Sequence, residues 1–185
     1  MPVMRHLMLD LETFGTRPGS IIRSIGAVAF DPDSGQMGDE FYAVLSEKEQ
    51  KKLKMKKDDQ TVAWWAKPDQ AFANEQLTKE PNKLELTEAL AAFTKFVRVT
   101  ARTQFVWSQG ANFDEPVLAE AYDRIGVDTP WKFWDSRCTR TIYAEANFNF
   151  KSEPREGTYH NALDDARHQV RCVYRARCML RGRVV

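Results

Sequence analysis

The chain has 185 residues, and its 27 Lys and Arg against 26 Asp and Glu give a formal net charge of +1. Hydrophobic residues make up 43% of the chain, which is typical of a globular protein with a buried core, and no apolar run approaches the roughly 20 residues of a membrane span. Three cysteines without CxxC spacing argue against a zinc ribbon, and the N-terminus lacks the pattern of a cleavable signal. We therefore expect one domain over residues 1–185, in the cytoplasm and with no membrane partner.

The first half of the chain is predicted to begin with strands. Short apolar segments rich in β-branched and aromatic residues cover residues 6–11, 21–30 and 40–45. Turn-forming residues separate them, so we expect a three-stranded antiparallel meander. The apolar period then changes to that of a helix at residues 61–65 and 84–99, which predicts two helices after the meander.

The second half predicts one more strand and then helices. A fourth strand is expected at residues 104–107, followed by a helix over 112–125. Residues 133–146 are predicted to be helical, residues 147–158 to form a polar loop, and residues 162–180 to form a long final helix. This order predicts an α/β fold in which helices cover both faces of a mixed sheet.

Two acids in the first predicted strand are candidate metal ligands. Asp10 and Glu12 are two residues apart, and strand side chains repeat with period two, so both should project from one face. Their neighbours in the sequence LMLDLE are apolar, and burying a charge among such residues is costly unless a metal or another partner compensates. A pair of surface acids at the end of a strand is the alternative.

A third acid, Asp114, follows the carboxyl end of the fourth predicted strand. Ligands of open α/β sheets gather at that edge. Alternatively, Asp114 or Asn112 caps the helix that begins there, a common role for both residue types and one compatible with metal binding.

His160 and Asp165 form the last candidate pair. Five residues along a regular helix turn about 140° net, so both side chains cannot face one site if both are helical. His160 must therefore lie on the preceding loop, with the helix beginning near Asn161 and Asp165 one turn inside it.

Two basic stretches could meet phosphate groups. One is residues 48–57, KEQKKLKMKK. The other consists of the C-terminal arginines Arg167, Arg171, Arg175, Arg177, Arg181 and Arg183. Solvated helix faces are the alternative for both stretches, and the sequence leaves the choice open.

Three segments together resemble a known family. The sequence Asp10-Leu11-Glu12-Thr13, the segment ANFD that ends at Asp114, and the spacing of His160 and Asp165 resemble the three motifs of the DEDDh 3'-5' exonucleases. The longer segments DLETFGTRPGSIIRSIGAVAFD and WSQGANFD are similar to the branch that contains the phage exonuclease A and ribonuclease AS types. Many members carry a His-Asn pair before the second-motif aspartate, whereas this chain has Gly110-Ala111-Asn112, so the substrate contacts of that pair are not carried over.

The resemblance implies a ribonuclease H-like fold, with a mixed five-stranded sheet flanked by helices. It implies a 3'-5' exonuclease that releases nucleoside 5'-monophosphates from the 3' ends of nucleic acid. The contacts that recognise a 2'-hydroxyl cannot be read from the sequence, and DNA is taken as slightly preferred over RNA. Two Mg²⁺ or Mn²⁺ ions would be held by Asp10, Glu12, Asp114 and Asp165, and His160 would be the general base. Carboxylates about 4 Å apart repel by roughly 4 kcal/mol at an effective dielectric of 20, so four together require cations. A homodimer is one option that the resemblance leaves open.

The predicted substrate contacts are Thr13, Phe14, Trp65, Ser108 and Asn112. Phe14 follows the first motif directly and is the first candidate for stacking on the terminal base. Of the adjacent Trp64 and Trp65, at most one is expected to face the site, with the other in the core. Ser108 and Asn112 could contact sugar or phosphate, with capping as the alternative.

Two other classes of function are compatible with parts of the pattern. An exoribonuclease of the ribonuclease AS type keeps the same chemistry on a different substrate. A non-catalytic nucleic-acid-binding or polymerase-associated module would keep only the fold, although all five motif residues are present. A structural calcium-binding domain is disfavoured because the acids are dispersed and form no EF-hand loop.

Overall fold

A five-stranded mixed sheet forms the centre of the protein. The computed structural model describes residues 4–183, apart from the side chain of residue 100. The strands are β1 (His6–Thr13), β2 (Ile22–Phe30), β3 (Met37–Val44), β4 (Phe105–Ser108) and β5 (Ser136–Cys138). They lie in the order β3-β2-β1-β4-β5. β1 to β3 form the antiparallel meander that the sequence predicted, whereas β4 pairs in parallel with both β1 and β5.

Seven α-helices accompany the sheet in the part of the chain that the structure describes. They are α1 (Glu47–Lys52), α2 (Asp59–Trp65), α3 (Ala71–Lys79), α4 (Leu86–Lys95), α5 (Asp114–Arg124), α6 (Thr139–Glu145) and α7 (Ala162–Leu180). A π-helical turn, Phe96–Thr100, extends α4. None of the helices within residues 4–183 is long and apolar enough to cross a membrane.

The central strand β1 sends alternate side chains to two separate cores. Leu7, Leu9 and Leu11 belong to a core that includes the buried residues of α4 and α5. Met8 belongs to a second core that includes the buried face of α7. Because side chains alternate along a strand, Asp10 and Glu12 continue the row of Met8 toward the face that α7 covers.

Helix α7 begins directly against the sheet, where β2 carries a glycine. Gly26 pairs with Asp10 across the β1–β2 ladder. A Cβ atom at Gly26 would lie 2.2 Å from the carbonyl carbon of Ala162 and 2.3 Å from the amide nitrogen of Leu163. Only glycine therefore lets the first turn of α7 approach the sheet opposite Asp10.

The structure corrects two parts of the predicted order. The helix expected over 133–146 is wrong: a 3-10 turn at Phe133–Asp135 leads into β5, and only α6 is helical. A strand of three residues is too short to show an alternating pattern. The sequence predicted two helices between the meander and β4, but α1 and α3 lie there as well. Helix α1 has no apolar period, because its one buried residue is the polar Gln50.

Candidate active site

Four carboxylates from three elements meet at the carboxyl end of β1. Asp10 and Glu12 lie on β1, Asp114 is the first residue of α5, and Asp165 lies in the first turn of α7. The backbone amide of Leu11 donates a hydrogen bond of 3.1 Å to Oδ1 of Asp114, which places that acid directly beside β1. No side chain caps the N-terminus of α5, so the capping role considered for Asp114 and Asn112 is not seen.

The four acids and His160 form one cluster, as distances and pKa shifts indicate. Glu12, His160 and Asp165 each offer a ligand atom, and the three atoms lie within 4.8 Å of one another. Burial raises the pKa of Asp10, and the charges of Asp114 and Glu12 raise it further. Burial also raises the pKa of Glu12 to about 8 and that of Asp114 to about 7. The charges of these acids therefore repel one another.

The donor atoms fit divalent cations. Carboxylate oxygens are hard ligands, and a buried group of them that resists ionisation is relieved by positive charge. The only protein cation that pairs with one of these carboxylates, among residues 4–183, is Arg155, whose guanidinium forms a salt bridge with Asp165. The residues present thus suit hard divalent metal ions held between β1, α5 and α7.

His160 lies in the turn before α7, outside the helix, at the position that its spacing from Asp165 predicted. Its backbone is left-handed, with φ of 59°, and Asn161 caps the helix by accepting hydrogen bonds from the amides of Leu163 and Asp164. Nδ1 of His160 is 3.9 Å from Oε1 of Glu12. Burial lowers the pKa of His160, and the charge of Arg155 lowers it further. Both effects favour the neutral form of the imidazole.

Sequence reasoning missed two residues that contact the acids. Gln169 donates a hydrogen bond of 2.7 Å from Nε2 to Oδ1 of Asp10. It follows Asp165 by four residues, so helical spacing could have placed it on the same face. Arg155 pairs with Asp165 and lies over the ring of Tyr159, 4.0 Å from its centroid. It comes from the polar loop before α7, where no pattern in the sequence indicates its direction.

Two cavities meet at the acids. The acidic cavity, of about 540 Å³, is lined by residues that include Asp10, Glu12, His160 and Asp165. The tryptophan cavity, of about 800 Å³, is lined by residues that include Trp64 and Trp65. Leu11 and Glu12 line both cavities, so the two are contiguous.

Thr13 and Trp65 lie in the wall of the tryptophan cavity, among the predicted substrate contacts. Nε1 of Trp65 donates a hydrogen bond of 2.9 Å to the carbonyl oxygen of Thr13, which fixes α2 against the end of β1. Trp64 also lines the cavity, and its ring lies edge-on to His160 with centroids 4.8 Å apart. Trp65 is buried in a core cluster, whereas Trp64 is only partly buried, in agreement with the expectation that one of the two tryptophans belongs to the core. The substrate contact assigned to Trp65 stays a prediction.

The other three predicted contacts do not line either of the two cavities. Phe14 packs against the core, with the guanidinium of Arg23 at 4.4 Å and the ammonium of Lys57 at 4.0 Å from its ring centroid. Ser108 is fully buried at the end of β4, and Asn112 is exposed. The substrate roles of these three residues stay predictions.

Solved structures share this fold. The nuclease domain of 3'hExo, a DEDDh family member bound to rAMP, matches with a TM-score of 0.60 at 12% identity, over 96% of this chain and 92% of that one. E. coli Exonuclease I in complex with a dT13 oligonucleotide matches with a TM-score of 0.66 at 16% identity, over 96% of this chain but only 42% of that one. Exonuclease X in complex with 5' overhanging duplex DNA matches with a TM-score of 0.53 at 15% identity, over 96% and 92%. These likenesses confirm the ribonuclease H-like fold.

A family match covers nearly the whole chain. The family described as 3'-5' exoribonuclease Rv2179c-like domain matches residues 5–176. No curated protein matches this chain. The match places the four acids and His160 inside the family's domain. The chain therefore belongs to the Rv2179c-like family of 3'-5' exonucleases, with structural neighbours among the DEDDh enzymes.

Proposed function

We propose that this protein is a metal-dependent exonuclease that removes nucleoside 5'-monophosphates from the 3' ends of RNA. The observation that carries the proposal is the cluster in which Glu12, His160 and Asp165 offer ligand atoms within 4.8 Å of one another, beside the acids Asp10 and Asp114. The family description, 3'-5' exoribonuclease, supports RNA as substrate and favours the ribonuclease AS type within the branch. The proposal therefore takes RNA as the substrate in place of the slight preference for DNA in the sequence analysis.

Asp10, Glu12, Asp114 and Asp165 hold two divalent cations, Mg²⁺ or Mn²⁺, in this proposal. When bound, such a pair supplies the charge that activates a water molecule and stabilises the leaving 3' oxygen. Gln169 orients the carboxylate of Asp10 through its hydrogen bond. His160 accepts the proton of the attacking water at an imidazole nitrogen, which its lowered pKa leaves free at neutral pH.

The tryptophan cavity receives the nucleoside on the 5' side of the bond that is cleaved, and the acidic cavity receives the terminal nucleotide. Trp64 offers aromatic surface in this cavity, and stacking on an aromatic side chain contributes about 1–3 kcal/mol per base. Trp65 is buried and supports the wall of the cavity. Thr13 lies in the same wall, where its Oγ1 donates a hydrogen bond of 2.6 Å to the carbonyl oxygen of Gly15. This bond stiffens the rim of the cavity.

We further propose that residues 1–185 form one exonuclease domain that acts in the cytoplasm, in line with three cysteines that form no disulfide.

End-labelled strands test the proposed activity. RNA and DNA of one sequence, labelled at either the 5' or the 3' end, are digested with Mg²⁺, with Mn²⁺ or with a chelator. We expect immediate release of a labelled mononucleotide from the 3'-labelled RNA, a descending ladder from the 5'-labelled RNA, and neither with chelator. The matched control, Asp165→Asn, keeps the size of the side chain and should be inactive. Rapid cleavage of a circular single strand would contradict the proposal and indicate an endonuclease.

A further inference from the structure

A basic groove of about 450 Å³ continues from the tryptophan cavity along the protein surface. Arg17, Lys54 and Lys56 line it, and all three are exposed. Arg17 and Asp58 line both the groove and the tryptophan cavity, so the two are joined. A path of concave surface therefore leads from the acids, past the tryptophans, to a concentration of positive charge.

The backbone on both sides of the basic groove is held in place by hydrogen bonds. The amide of Lys56 donates to the carbonyl of Gly19, and the amide of Ile21 donates to the carbonyl of Lys56, both at 2.9 Å. Within the opposite loop, the hydroxyl of Ser20 donates to the carbonyl of Arg17 at 2.6 Å. Because these hydrogen bonds hold the two segments together, the Cα atoms of the three cationic residues keep a fixed spacing along the groove.

Five cationic residues line the groove, and two of them, Lys57 and Arg124, are paired with Glu47 and Glu120. Within residues 4–183, Arg17, Lys54 and Lys56 form no salt bridge. The one acid that lines the groove, Asp58, uses its carboxylate to accept hydrogen bonds from the amide and hydroxyl of Thr61 at the start of α2. Three cations thus line one concavity without a salt-bridge partner among the described residues.

The C-terminal arginines differ in this respect. Salt bridges pair Arg167 with Glu40 and Asp164, Arg171 with Glu156, Arg175 with Glu153, and both Arg177 and Arg181 with Asp33. These arginines bind the protein's own acids along α7. Of the two basic stretches in the sequence, only residues 48–57 contribute to a groove that reaches the candidate active site.

We propose that the basic groove binds the sugar-phosphate backbone of the substrate strand, at nucleotides on the 5' side of the bond that is cleaved. This inference rests on the proposed function, because it needs the 3' end of the strand to lie at the acids. Phosphates along the groove replace the missing counterions of Arg17, Lys54 and Lys56. Backbone contacts of this kind carry little sequence information, so the groove sets affinity and preference for length rather than for base.

The salt dependence of strand binding gives the expected size of the effect of removing lysines from the groove. Each phosphate neutralised on a single strand contributes about 0.7 to the slope of log affinity against log salt concentration. The double variant Lys54→Gln/Lys56→Gln should therefore flatten the slope by about 1.4. It should not change cleavage of a dinucleotide, which cannot reach the groove and the acids together.

The test combines binding and cleavage. Binding of a fluorescent strand of about 12 nucleotides, within the size range typical of single-strand sites, is measured in chelator at several salt concentrations, with RNA and DNA in separate arms. Cleavage of the same strand and of a dinucleotide is measured with Mg²⁺. The matched control is Lys48→Gln/Lys52→Gln, which removes the same charge from the same basic stretch at exposed positions outside the groove.

We expect the groove variant to show the flatter slope and to lose its preference for the long strand, while the control keeps both. Equal slopes for the two variants, or an unchanged preference in the groove variant, would overturn the inference. A wild-type protein that binds the strand through the groove but cleaves neither substrate would instead contradict the proposed function and leave the groove in place.

Discussion

Replacing Gly26 with alanine tests whether the site depends on the close approach of α7 to the sheet. The new Cβ would lie 2.2 Å from the carbonyl carbon of Ala162, against 3.4 Å for ordinary contact, so the first turn of α7 must retreat by about 1.2 Å. That turn carries Asp165, and His160 lies two residues before its first residue, Ala162. A misplacement of about 1 Å can lower activity by roughly 10²-fold, because catalytic groups must be held in the reactive geometry.

Overpacking of a core typically costs about 1–3 kcal/mol, and each kcal/mol lowers the Tm of a domain of this size by about 2–4 °C. We therefore expect Gly26→Ala to lower Tm by several degrees and kcat/KM by about 10²-fold, with weaker metal binding. The matched control is Gly38→Ala on β3, where the new Cβ meets Sδ of Met4 at 2.5 Å, the far end of a flexible side chain that can move aside. Cleavage of an end-labelled strand, calorimetric metal affinity and thermal unfolding are the assays. Equal activity and Tm in the two variants would refute the reasoning.

Three further perturbations test the charges of the site. His160→Ala should lower kcat by about 10²- to 10⁴-fold and remove the limb of the pH–rate profile that belongs to the histidine; an equally large loss of metal affinity would make it a ligand instead. Asp10→Asn should abolish cleavage yet raise the Tm of the metal-free protein, because it removes a buried charge; a lower Tm with activity preserved would make the acid structural. The pKa values of Glu12 and Asp114 are raised to about 8 and about 7 in the folded protein. The folded protein therefore holds these protons at a pH at which the unfolded chain has lost them, and the resulting stability is lost as pH rises toward the raised pKa values. Urea unfolding in chelator should therefore show a falling free energy of unfolding between about pH 5 and pH 8, and saturating Mg²⁺ should remove the fall.

The sequence was sufficient to predict the parts of the site that follow from local periodicity. Period two along β1 predicted that Asp10 and Glu12 share a face, and the spacing of His160 and Asp165 predicted a histidine outside α7. Both results rest on the fixed geometry of strands and helices. The meander was predictable for the same reason, since turn residues separate its strands.

Contacts between distant segments were not predictable in the same way. The salt bridge of Arg155 with Asp165 depends on the path of an irregular loop, which no periodicity describes. The close contact at Gly26 depends on where α7 crosses β2. The polar helix α1 and the three-residue strand β5 carry no hydrophobic pattern, so their positions follow only from the tertiary structure.

The two basic stretches also combine a feature that the sequence predicts with one that only the structure shows. Composition identified both, but salt bridges are interactions between distant residues and decide which charges remain available. Lys54 and Lys56 of the groove form no salt bridge among the described residues, whereas arginines of α7 pair with acids of the protein.

Counting the cations bound per chain is the most direct test of the four-acid site. Titration calorimetry with Mn²⁺, in the presence of a nucleoside 5'-monophosphate, compares the wild-type protein with Asp114→Asn, which keeps the side-chain shape and removes one buried carboxylate. We expect two cations per chain in the wild-type protein, and fewer or far weaker sites in the variant. No binding by the wild-type protein, or equal binding by both, would contradict the proposal that these acids hold the metal ions of an exonuclease.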